Sequence, residues 1–178
     1  MFRQLYRRLC GIVLAVVLAV VLLTGGCLMV SSAAFYIEDF SASMEMAGSS
    51  DLTATIYTAL TAEQDDTVTL AQLESAINRY AGTLSLNENR SAYILSARDA
   101  SVIYPASLRP GTLAVTDNLS AAMRGGNGNE YSFFGDYLDG AIFIKNGDNP
   151  QDGFIFYVRD NKAELDRMGG ITRAEETE

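Results

Sequence analysis

Apolar residues recur along this chain in three different periods. From Cys10 to Val30 they are continuous, reading CGIVLAVVLAVVLLTGGCLMV without a charged residue. At about 1.5 Å per residue this run reaches across the roughly 30 Å hydrocarbon core of a bilayer. From Phe35 to Leu60 the period becomes helical: Ile37, Phe40, Met44, Ile56 and Leu60 recur on one side, with Ala47 and Leu52 in the turns between. No proline separates this stretch from the apolar run, which predicts one helix continuing into the next domain, with a bend or break at Gly48-Ser49-Ser50. After the polar turn Glu63-Gln64-Asp65-Asp66, the Thr69/Gln72 spacing predicts a capping box. Leu70, Leu73, Ile77 and Tyr80 form the stripe of a second helix that Gly82 closes.

Beyond Asn89 the period shortens to that of strands. Ser91–Ala97 and Ser101–Tyr104 predict a hairpin around Arg98-Asp99-Ala100, stopped by Pro105. Asp117 or Asn118 caps a short helix, Leu119–Arg124, closed by Gly125-Gly126. Three further strands are predicted at Glu130–Phe134, Gly140–Lys145 and Gly153–Val158, and Asp160 caps a terminal helix carrying Leu165 and Met168. Five antiparallel strands with helices against one face make an α+β domain. The expected organisation is a basic segment (1–9), a transmembrane helix (10–33), a folded domain (34–168) and a polar tail (169–178).

Charge sets the expected orientation. The 178 residues hold 13 basic and 22 acidic side chains, a net charge of −9. Arg3, Arg7 and Arg8 precede the apolar run, so the positive-inside rule puts that flank in the cytoplasm and the domain outside. Beyond the run remain 10 basic and 22 acidic residues, about −12, so nucleic acid is not an expected partner. The chain contains no histidine, which excludes imidazole-driven nucleophiles and histidine-ligated metals. No cofactor and no catalytic activity are expected of it. Cys10 and Cys27 lie in the apolar run and cannot staple the domain. Two competing readings of the run are a cleaved signal ending near Ser31-Ser32-Ala33-Ala34 and an acylated Cys27 after Leu23-Thr24-Gly25-Gly26.

Three stretches carry a resemblance: Arg90–Tyr104 (RSAYILSARDASVIY), Thr116–Met123 (TDNLSAAM) and Gly153–Asn161 (GFIFYVRDN). In this order they resemble the first hairpin, the short helix and the closing strand of the PAS-like, single-Cache extracytoplasmic sensor domains of bacterial membrane histidine kinases. The resemblance covers residues 35–168. It implies a Cache-type five-stranded sheet with a long N-terminal helix, a homodimer formed through that helix, and a two-component signalling role. It also implies a last helix leading to a second span and a kinase, whereas residues 169–178 are polar. A receptor continuing past Glu178 and a stand-alone single-pass product are both open expectations.

In such a domain a small-molecule or ionic ligand would sit between the sheet and the loops around the short helix. The available cations are Arg98, Arg109, Arg124 and Lys145, and arginine's planar fork suits a carboxylate. Arg109, beside Pro110-Gly111, and Arg124, at the end of the short helix, are the first candidates, followed by Arg98. Tyr104 and Tyr131 are the candidate orienting hydroxyls. Asp136, Asp139, Asp148 and Asp152 lie in loops that could hold a divalent ion, without the spacing of a twelve-residue calcium loop. The alternative function is a membrane-anchored protein-interaction or adaptor domain, marked by an exposed apolar patch.

Overall fold

The computed structural model describes residues 2–49, 51–62, 65–108, 113–132 and 137–162. The chain divides into two compact units, Met1–Tyr36 with Glu164–Glu178, and Ile37–Ala163. Helix α1, Phe2–Ser49, is a single helix, and its segment from Tyr6 is long and apolar enough to cross a membrane. Leu14, Leu22 and Val30 on it are exposed, which fits a membrane-crossing segment and a signal segment alike. Helix α2 runs from Asp51 to Thr61, and Ser50, in the expected bend or break at Gly48-Ser49-Ser50, lies outside the described residues.

Helix α3 spans Asp66–Tyr80. It starts a turn earlier than the Thr69/Gln72 spacing implies, with Asp65 in extended backbone before it and the Thr67 hydroxyl donating to the Asp65 carboxylate. Phe40, Met44, Leu52, Ile56, Leu73 and Ile77, all read as core from their spacing, are buried. Strands β1 (Arg90–Ser96), β2 (Val102–Tyr104), β3 (Leu138–Ile144) and β4 (Phe154–Asp160) form one antiparallel sheet in the order β2-β1-β4-β3. Helix α4, Asp117–Met123, precedes β3.

Alternation along the strands assigns the two faces. One face presents Ile94, Phe156, Ile142 and Gly140 to the last turns of α1: a Cβ on Gly140 would stand 2.9 Å from Met44 Cε, and one on Gly48 3.6 Å from Ile142 Cδ1. The other face carries Leu95, Ile155, Tyr157 and Ala141, which pack with Leu119 and Ala122 of α4. Helices therefore cover both faces, not one.

The five-stranded Cache-type sheet is overturned: the architecture is α+β, but among the described residues the sheet has four strands. The missing strand was expected at Glu130–Phe134, whose described residues Glu130–Ser132 have irregular backbone. Amide side chains take the place of a fifth strand along the outer edge of β3. Asn118 Nδ2 donates to the Asp139 carbonyl (2.8 Å), Asn127 Oδ1 accepts from Phe143 N (3.0 Å), and among the described residues only Gly128 makes a backbone bridge, to Ala141. A side chain at position 128 would collide with the Asn118 backbone. The terminal helix expected after Asp160 falls outside the described residues, and Asp160 itself closes β4.

Because α1 rests directly on Gly140, Gly140→Val should cost about 1–3 kcal/mol of stability by overpacking. Denaturant unfolding of Gly140→Val alone and with Met44→Ala measures it. With Met44→Ala measured alone as well, the double variant should lose less than the sum of the two single losses, and strict additivity would mean that the two positions are not in contact.

Candidate functional site

The interface between the sheet and α4 itself is filled, and the open space lies instead beside the loop that follows α4, at Asn127, Gly128 and Asn129. Tyr157, Leu95, Ile155 and Leu119 are essentially inaccessible in the α4 interface. Its polar groups are engaged with one another. Asp139 Oδ2 accepts from Thr116 Oγ1 (2.5 Å) and from the Tyr157 hydroxyl (3.2 Å), while Thr116 Oγ1 also caps α4 by accepting from Leu119 N. The cap is thus Thr116, one residue ahead of the two candidates. Asn118 is saturated: its Nδ2 donates to the Glu130 and Asp139 carbonyls and its Oδ1 accepts from Glu130 N. Burial, with the Asp139 charge second, pushes the Tyr157 phenol far above its ordinary value. This network fastens α4 to β3 and leaves no opening for a ligand.

The open space lies at the other side of the sheet's edge. A groove of about 970 Å³ runs between α1 and α2 on one side and β3 with residues 127–131 on the other. Met44 and Ile142 form its apolar floor. Ser41, Asn127 and Tyr131 supply hydroxyl and amide groups, and Glu45 and Lys145 one charge of each sign. Lys145 is well exposed, 3.9 Å from Asp148. Tyr131 is positioned from behind, its ring meeting Phe40 edge-on with centroids 5.4 Å apart. Partial burial, then the charges of Asp139 and Glu45, raises its phenol above the ordinary value, against a hydrogen bond with Ser41 that lowers it. Such a surface suits a small polar molecule that is neutral or carries both signs, since a polyanion would meet Glu45. A second groove, about 860 Å³, separates α2 from α3 and is lined mainly by alanine, threonine and serine.

Of the residues singled out from the sequence, Tyr131 lines the first groove, as does Lys145 from the wider set of cations. Arg98 projects into solvent from the β1–β2 turn and pairs with Asp152 at 2.8 Å. Arg124 is exposed at the C-cap of α4, where its own N–H bonds to the Ala121 and Ala122 carbonyls. Tyr104 sits on edge strand β2, its phenol raised by burial and then by Glu74. None of these three lines the groove. Arg109 lies outside the described residues, as does Asp136. Among the described residues no group of three or more Cys, Asp and Glu side chains gathers around a common point to hold a metal. Ser41 and Glu45 were missed by sequence reasoning, although their signal is legible as a polar stripe one position beyond the apolar Phe40/Met44/Ala47 stripe. Comparison of the chain with family models, curated protein sequences and solved structures yields no match.

The fold holds Tyr157 neutral, so its contribution to stability is fully present below the ordinary tyrosine pKa of 10.0 and is lost as pH rises toward the elevated folded-state value. Tyr104 and Tyr131 act in the same direction. Unfolding midpoints measured from neutral pH upward should fall above about pH 10, and less steeply in Tyr157→Phe. An identical alkaline slope in both proteins would contradict the assignment.

Proposed function

We propose that this chain is the extracytoplasmic, ligand-sensing part of a membrane receptor of the two-component type, held by α1 and recognising a small polar molecule in the groove between α1 and β3. The observation that carries this reading is the double use of one helix. The helix that contains the apolar run also supplies Ser41, Met44 and Glu45 to the groove. A ligand bridging Tyr131 or Lys145 to these residues would bear on α1 directly, and a small displacement of a packed helix is an established form of signal. Signalling further requires two states of the domain with different ligand affinity. Pairing of two copies through α1 belongs to the same proposal, which draws on the exposure of Ala42 and Met46 on that helix.

Orientation is tested with a single thiol. In a chain carrying Cys10→Ala and Cys27→Ala, a membrane-impermeant maleimide should label Glu88→Cys in intact spheroplasts. Labelling only after permeabilisation would place the domain inside and end the proposal.

Ligand recognition is tested with the full chain in nanodiscs against a panel of amino acids, dicarboxylates and sugars. At about a hundredfold excess over Kd, a bound compound should raise Tm by roughly 5 °C or more. The rise should disappear in Tyr131→Ala, and a rise unaffected by that substitution would move the site elsewhere.

A further inference from the structure

A chain of contacts that reaches the neighbours of Ser41 and Tyr131 converges on Asp160, the last residue of β4. Asp160 is 1% exposed, and its two carboxylate oxygens serve different partners. Oδ2 accepts from Arg90 Nε at 2.7 Å, and Oδ1 accepts from the Lys162 backbone N–H at 2.9 Å. Each partner then reaches a different wall. The Arg90 guanidinium, itself 3% exposed, lies 5.0 Å from the centroid of the Phe40 ring and 3.6 Å from Asp39 Oδ2, and donates to the Leu84 carbonyl. It thereby holds α1 at the turn just before Ser41. Lys162 Nζ donates to the Ser132 carbonyl at 3.2 Å, next to Tyr131 on the opposite wall. The walls themselves meet where Phe40 touches Tyr131.

A buried ion pair is a weak source of net stability, because desolvating both charges offsets most of their attraction. Its directional value is larger: one carboxylate held by two donors fixes both in space. We propose that Asp160 is a positioning residue, a clasp that sets the separation of the α1 and Tyr131 walls and so controls access to the groove. The clasp also lies where β4 ends, so movement of the backbone at 160–162 and opening of the groove are one event. This inference rests on reading the groove as the functional site, but its test concerns the walls alone.

The probe is a thiol at Ser41→Cys in the full chain in nanodiscs, with Cys10→Ala and Cys27→Ala, timed against a soluble maleimide. A second thiol, at Ala76→Cys in α3, reports opening of the domain as a whole. Asp160→Asn should speed labelling at position 41 by roughly tenfold or more, the scale set by loss of a charged hydrogen bond, and leave position 76 unchanged. Arg90→Met with Asp160→Leu removes both charges together, a change that buried pairs tolerate. It should give the same selective increase at position 41. Equal acceleration at both thiols, or none at position 41 in a folded variant, would overturn the clasp. A selective increase in a protein that no compound of the panel stabilises would leave the clasp standing and remove the ligand reading.

Discussion

Strand β4 must be buried from both sides, and the remaining elements take their places from that requirement. Its sequence, FIFYVRD, offers apolar side chains to both faces in succession, with Phe156 and Val158 on one and Ile155 and Tyr157 on the other. A strand of that kind is stable only in the middle of a sheet with a cover above and below. Strands β1 and β3 flank it over its whole length, from Arg90 to Ser96 and from Leu138 to Ile144. The last turns of α1 cover one face and α4 the other, each fixed by one close approach, Met44 over Gly140 and Asn118 over Gly128. With no tryptophan in the chain and both cysteines in the apolar run, tyrosine and phenylalanine supply the bulk.

The two covers are unequal, and the difference locates the groove. Helix α4 is short, and the Thr116–Asp139–Tyr157 hydrogen bonds seal it to the sheet. Helix α1 touches the sheet near its own C-terminus, and the space beside it, toward the outer edge of β3, is lined by groups that water can satisfy. The polar network that looks most like a site is therefore a fastening. The open space lies instead beside Ser41, Glu45, Tyr131 and Lys145.

Local periodicity made most elements legible. The runs GAIFIK and GFIFYV marked β3 and β4, and the Phe40/Met44 and Leu73/Ile77 spacings marked the buried sides of α1 and α3. What stayed hidden depends on residues far apart in the chain. Glu130–Phe134 was read as a strand, yet its described residues 130–132 are not one, and β3's outer edge is served by Asn118 and Asn127, whose amides reach it only in the folded chain. An uninterrupted apolar run also says that both faces are buried, and placing helices on one face alone overlooked that signal in β4. Arginines chosen for their neighbours in sequence, Arg98 and Arg124, lie on the surface. Arg90, not singled out, is a buried cation whose partner Asp160 is 70 residues away, so its pairing is not visible in the local sequence.

The amide edging of β3 has a consequence for the protein in company with its own copies. An open strand edge is a template on which another chain can add a strand. Here one edge strand, β2, is only three residues long, and the other is occupied by Asn118, Gly128 and Asn127. Side-chain amides satisfy hydrogen bonds without offering a second edge of their own, as an added strand would. Along β3 the sheet thus ends without inviting a further strand.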